Sequence, residues 1–226
     1  MNPVIVDDGV DMLMIDCGVQ DSMDELKAAA RQQGVDLSRL TRIIITHHDH
    51  DHAGNLAAIL REHPGIEVIA SAIDKPYIEK TMVSPRIAWS QEAAVSMPEH
   101  RETFERLIVQ FSRLEPARVD IGAVDGQRFP WLGGVEIVAT PGHLPGHIAV
   151  FLHAPGAMVT GDAMNISGDA LDTANALYTP DMASAARSTL KMAGYPIRML
   201  ICYHGGAFGG DIPSAMERLL TRYDSL

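Results

Sequence analysis

The stretch ITHHDHDHAGN, from Ile45 to Asn55, places four histidines and two aspartates in the six consecutive positions His47 to His52. Imidazole and carboxylate together suit a divalent ion such as zinc, manganese or iron. The run follows directly on RIIIT (Arg42–Thr46), a short β-branched segment that reads as a buried strand. A strand ending in such residues hands them to the rim of a sheet, where loops from several strands can converge.

Three more places repeat this arrangement. IVATPGHLPGH carries His143, MVTGD ends at Asp162, and LICYHGG carries His204, each at the end of an apolar strand-like run. One isolated histidine is more often a core or surface residue. Four strand ends with ligand chemistry in one chain point to a metal centre, and the absence of cysteine from these loops excludes a structural thiolate site.

The flanking segments predict layered α/β architecture. NPVIV and VDMLMID flank a hairpin turn at Asp7-Asp8-Gly9. Ser22 and Glu25 have capping-box spacing for a helix closed by Gly34. DHAGNLAAILREHPG reads as a helix ended by Pro64-Gly65, and EVIAS as a strand. VEIVAT, IAVFL, AMV and MLICYH read as further strands. Thr179-Pro180-Asp181 predicts a helix start with proline at its first position, running to Gly194, and IPSAMERLLTRY a closing helix. Between about 74 and 118 the strand signals stop. Phe104, Leu107, Ile108, Phe111 and Leu114 recur there at helical spacing, which predicts a helical insertion acting as core, lid or dimer surface.

Composition narrows the partners. The net charge is −11 with no Lys/Arg cluster, which argues against nucleic acid and against anionic membrane surfaces. No apolar run approaches the roughly 18 residues of a membrane span. The two cysteines, Cys17 and Cys202, lie far apart in apolar runs and read as reduced, buried thiols. With no basic-then-apolar leader at the start of the chain, the expected location is cytoplasmic.

These motifs resemble those of the metallo-β-lactamase superfamily over nearly the whole chain. The family pattern HxHxDHxG matches His47, Asp49, Asp51, His52 and Gly54; the later motifs match His143, Asp162 and His204. The resemblance implies one αββα sandwich spanning 1–226, with the insertion at about 74–118 and two divalent metals, zinc first and manganese or iron as alternatives. It implies that His47, Asp49 and His143 hold one metal, that Asp51, His52 and His204 hold the other, and that Asp162 bridges them. His48 and His50 fall at variable positions of the pattern.

Asp49 departs from the usual histidine. With three carboxylates and a bridging hydroxide, the inner shell around two divalent ions is neutral, which should acidify the bound water less. The expected activity is hydrolysis of a carbonyl ester, lactone or thioester by a hydroxide held between the metals, with Asp51 and Asp162 as the catalytic carboxylates. Tyr77, Met82, Trp89, Met97 and Phe208 are the candidates for an apolar pocket around a small-molecule substrate. An iron-dependent redox enzyme and β-lactam hydrolysis are the alternatives. Only 22 residues follow His204, which leaves little room for the glutathione-binding helical domain of one family branch.

Overall fold

A computed structural model describes residues 1–223. The chain first builds a sheet from β1 (Val4–Asp7), β2 (Met12–Ile15), β3 (Arg42–Ile45), β4 (Glu67–Ser71) and β5 (Ile121–Ala123), in that spatial order. Only the β1–β2 hairpin is antiparallel; the other pairs are parallel. The crossovers carry α1 (Met23–Gln32) and α2 (Leu56–Glu62). The long β4–β5 connection carries α3 (Lys75–Ile78), α4 (Pro85–Ser96) and α5 (Arg101–Arg113).

A second sheet follows from β6 (Arg128–Phe129), β7 (Val135–Ala139), β8 (Ile148–Leu152) and β9 (Ala157–Val159). The chain then forms a separate ribbon of β10 (Met164–Ser167) and β11 (Ala170–Thr173), and helix α6 (Met182–Ala193). It returns through β12 (Met199–Cys202) and β13 (Gly206–Ala207) and ends in α7 (Ile212–Tyr223). The order of this sheet is β13-β12-β9-β8-β7-β6, antiparallel except for β9 with β12.

Strand periodicity explains the layers. In β2, Met12 and Met14 face one way and Leu13 and Ile15 the other, and all four are buried. The first pair joins Leu56, Ile59 and Val68 beneath α2. The second pair meets Val135, Ile137 and Val150 of the opposing sheet. Val138, Phe151 and Met158 point outward from the second sheet onto Met192 of α6 and Met216 and Leu219 of α7. The result is the expected helix–sheet–sheet–helix sandwich, the central strands of each sheet buried on both faces and therefore apolar along their length. The insertion packs as a helical pair around Ala93, Phe104, Leu107 and Phe111.

Several local expectations change. Ser22 precedes α1, but its hydroxyl donates to the Val19 carbonyl and forms no cap. Helix α2 begins at Leu56 rather than at Asp51, because Asp51 to Gly54 turn tightly to aim side chains and Asn55 donates its amide to the Cys17 carbonyl and Ser22 Oγ. A Cβ at Gly54 would lie 2.2 Å from the Gln20 nitrogen, so only glycine fits this turn. Asp181, not Thr179, caps α6, accepting from the Ser184 amide at 2.9 Å. The β10–β11 ribbon was not anticipated; its sole local signal is the Gly168 turn.

Candidate metal centre

The ends of β3, β7, β9 and β12 open onto one rim of the sandwich and bring the four motifs together. Three overlapping groups of ligand atoms each lie within 4.8 Å of one another: His47, Asp49 and His143; Asp51, His52 and His204; and His47, His52 and Asp162. Asp162 spans both halves. Its Oδ1 is 3.1 Å from His52 Nε2 and its Oδ2 is 3.6 Å from His143 Nε2. His204 Nε2 lies 3.4 Å from both Asp51 and Asp162, and His143 Nε2 lies 3.2 Å from Asp49 Oδ2.

The donor set fits cations. His47 Nε2 and Asp49 Oδ1 are buried with no hydrogen-bond partner among the described residues, a costly arrangement unless something binds them. The surplus of carboxylate also calls for positive charge. Burial by itself would lower the basicity of His52, but Asp162, Asp16 and Asp51 around it outweigh that and raise its pKa well above the usual value. Hydrogen bonds that His204 donates to Asp162 and Asp51 push its pKa up to about 9. A cation entering here replaces protons, so metal uptake releases acid.

The far ring nitrogens are held by residues that the linear motifs do not reveal. Asp16, at the end of β2, accepts from the Thr46 amide and hydroxyl at 2.8 Å each, and its Oδ2 faces His52 Nδ1 at 2.8 Å. That carboxylate fixes the ring so that Nε2 points inward. Because Thr46 gives its proton to Asp16, His47 Nδ1 donates to Thr46 Oγ1 at 3.1 Å, which likewise turns its Nε2 to the centre. His147 accepts the Asp162 backbone N–H on Nε2 at 3.0 Å and donates from Nδ1 to Thr140 at 2.8 Å. Burial, reinforced by His47 and His143, keeps it neutral, as that accepting role requires. It thereby positions the Gly161–Asp162 turn, where φ is +52° and a Cβ would come within 2.7 Å of His147 Nε2. Tyr203 packs against His52 with ring centroids 3.8 Å apart and planes tilted by 35°, and donates to the Asp51 carbonyl. The signal for Asp16 was present in the sequence: MLMID is one more apolar strand ending in a ligand-type residue.

His48 points away from the centre. Its ring and backbone nitrogens both reach Asp74 Oδ2 at 2.8 Å, and its Nε2 accepts from Ser84 Oγ at 2.6 Å. Ser84 in turn caps α4 by accepting the Arg86 amide. His48 therefore ties the motif loop to the insertion. His48→Ala is expected to leave metal content at the wild-type level, measured by elemental analysis. It should lower stability by about 1–3 kcal/mol in thermal unfolding, because the buried Asp74 and Ser84 lose their partner. Metal loss equal to that of His143→Ala would place His48 among the ligands. His50 is half-buried at the cavity mouth, 3.8 Å from Asp51.

A cavity of about 410 Å³ opens directly onto Asp49, Asp51, His143, Asp162 and His204. Its opposite wall is polar: Arg86, Thr103, Arg106 and Gln110, with Leu107 and Tyr178. None of the five apolar pocket candidates lines it. Tyr77 and Met82 border a neighbouring cavity of about 210 Å³ beside His48. Trp89 packs edge-on against Phe104, Met97 joins the same helical cluster, and Phe208 packs among the residues beneath the second sheet. Helical spacing marks the residues of α5 that pack together, but it does not reveal which face of the segment turns to the site.

Arg86 was not singled out by any motif. Only 1% exposed, its Nη2 donates to Asp49 Oδ2 at 2.7 Å and lies 2.8 Å from His143 Nε2, while Nη1 donates to the Tyr178 carbonyl. Burial alone would raise the Asp49 carboxyl; Arg86 and His47 outweigh it and hold Asp49 well below the usual carboxylate range. The charge by which Asp49 differs from the usual histidine is thus matched by a guanidinium from the insertion.

Comparison with known proteins agrees with this fold. The family model described as the metallo-beta-lactamase superfamily matches residues 2–204. The probable metallo-hydrolase YflN of Bacillus subtilis is 30% identical over 95% of this chain and 83% of its own length. A hydroxyacylglutathione hydrolase of Aeromonas hydrophila is 26% identical over 83% of this chain, which spans 56% of that protein's length. Among solved structures, Rm3 metallo-beta-lactamase shares the fold with a TM-score of 0.68 at 19% identity, covering 99% of this chain and 85% of its own. A metallo-beta-lactamase superfamily protein from Sulfolobus tokodaii does so with a TM-score of 0.67 at 20% identity, covering 96% and 78%. With the sandwich, the converging strand ends and the matched motifs in agreement, the chain belongs to the metallo-β-lactamase superfamily.

Proposed function

We propose that this protein is a dinuclear metal-dependent hydrolase acting on a carbonyl ester, lactone or thioester. The observation that carries the reading is Asp162, which presents one carboxylate oxygen to each half of the ligand cluster at the floor of an open cavity. His47, Asp49 and His143 would hold one divalent ion, Asp51, His52 and His204 the other, and Asp162 both. Bound there, the ions supply an acidified water and polarise a carbonyl oxygen.

The chain's own residues do the rest. Asp51 and Asp162 face the cavity and orient the nucleophilic water, and Asp51 passes its proton toward solvent. Asp16 and Thr46 keep His52 and His47 in the tautomers that leave Nε2 free. The cavity volume suits a small molecule. Relatives named hydroxyacylglutathione hydrolase support acyl hydrolysis as the reaction type.

The test pairs elemental analysis of purified protein with a hydrolysis screen over aryl esters, lactones, thioesters and β-lactams. The expected result is hydrolysis that a chelator abolishes and a divalent ion restores. A coloured iron protein with no hydrolysis in any class would overturn the proposal in favour of redox chemistry.

A further inference from the structure

His143 has a single lone pair to offer the centre, and Arg86 already holds it. His143 Nδ1 lies 3.3 Å from Thr179 Oγ1, whose own proton goes to the Asn175 carbonyl at 2.7 Å. The ring proton is therefore on Nδ1, donated to Thr179, and Nε2 is an acceptor. Arg86 Nη2 donates to that acceptor at 2.8 Å and to Asp49 Oδ2 at 2.7 Å. This Asp49 oxygen is the one facing His143 at 3.2 Å and His47 at 3.6 Å.

An in-plane imidazole lone pair binds an N–H or a metal, not both. Asp49 is less restricted: its Oδ1 has no hydrogen-bond partner among the described residues, and a carboxylate oxygen has a second lone pair. A cation at His47, Asp49 and His143 must therefore displace Arg86 from His143 while Asp49 can keep hold of both. The other half differs. Around Asp51, His52 and His204 no Lys or Arg among the described residues forms an ion pair with the carboxylates, and the groups paired with His52 Nε2 and His204 Nε2 are the carboxylates of Asp51 and Asp162, themselves candidate ligands.

We propose that Arg86 is a built-in competitor for metal, so that the two halves of the centre load unequally. The half formed by Asp51, His52 and His204 with Asp162 fills first. The half formed by His47, Asp49 and His143 fills only when the guanidinium gives up His143. The guanidinium is well held where it is: Nη1 bonds the Tyr178 carbonyl, and the Trp89 ring lies beneath it at 4.9 Å. It also belongs to the first turn of α4, whose cap is fixed to His48 through Ser84. Occupancy of the second half is thereby coupled to the position of the insertion that walls the cavity. The inference rests on the metal-centre reading above.

The experiment titrates metal-free full-length protein with zinc against a chromophoric chelator, without substrate. Wild type is expected to bind zinc in two steps separated by at least about a hundredfold in dissociation constant. Arg86→Met removes the donors and keeps apolar bulk. It should tighten the weaker step by at least about tenfold and move the stronger by less than about threefold. Two equal steps in wild type would overturn the proposal whether or not the variant folds. A weaker step that loosens in Arg86→Met would also overturn it, making Arg86 a support for Asp49 as a ligand. Failure to bind any zinc would instead remove the metal centre itself, and the inference with it.

Discussion

Asp162→Ala is expected to cost at least about a thousandfold in the rate of hydrolysis and to reduce bound metal in both halves of the centre. The reason is its position. One oxygen faces His52 and the other faces His143, so this is the only carboxylate among the described residues that pairs with both sets of histidines. The backbone beneath it is also specialised, since His147 accepts the Asp162 amide and Gly161 takes a left-handed turn. Asp162→Asn keeps the shape and removes the charge. It should retain more metal than the alanine variant and still lose most of the rate. Elemental analysis and steady-state kinetics on the substrate found by screening would decide the matter. Full metal content and near-normal rate in Asp162→Ala would sink the bridging role.

The second large effect concerns Asp49, for which the structure supplies a partner that alters the expectation. Taken alone, a carboxylate at this position makes the centre less positive and its bound water less acidic. Arg86 restores that unit of charge at 2.7 Å, so the acidity of the water should resemble that of a centre with histidine there. Asp49→Ala removes a candidate ligand and leaves a buried guanidinium without its counter-ion. A stability loss of about 3–5 kcal/mol is expected in chemical denaturation, with hydrolysis falling alongside. Asp49→His adds a net positive charge to the wild-type arrangement. It should shift the lower limb of the pH–rate profile to lower pH, because a more positive centre ionises water earlier. An Asp49→Ala variant of wild-type stability and rate, with an unmoved profile in Asp49→His, would remove Asp49 from the centre.

Much of the architecture was legible locally. RIIIT and IAVFL are apolar because both faces of the sheet are buried at these central strands, and such runs declare themselves without reference to the rest of the chain. Ligand-type residues at four strand ends were visible for the same reason, since a strand's end is a local property. His48 illustrates the boundary. Its place in the motif set it apart from the expected ligands, yet its bonds to Asp74 and Ser84 depend on how the insertion folds back.

What only the tertiary structure decided is the set of partners brought in from far along the chain. Asp16 reaches His52 across 36 residues, Arg86 reaches His143 across 57, and Asp162 receives His147 through a turn that no periodicity describes. The polar cavity wall has the same origin. Periodicity in α5 identified the buried stripe of Phe104, Leu107 and Phe111, but it could not say that Thr103, Arg106 and Gln110 beside it would face the centre. Apolar burial leaves a pattern in the sequence because it repeats with the secondary structure. A hydrogen bond between two distant polar residues happens once, and it leaves no period to read.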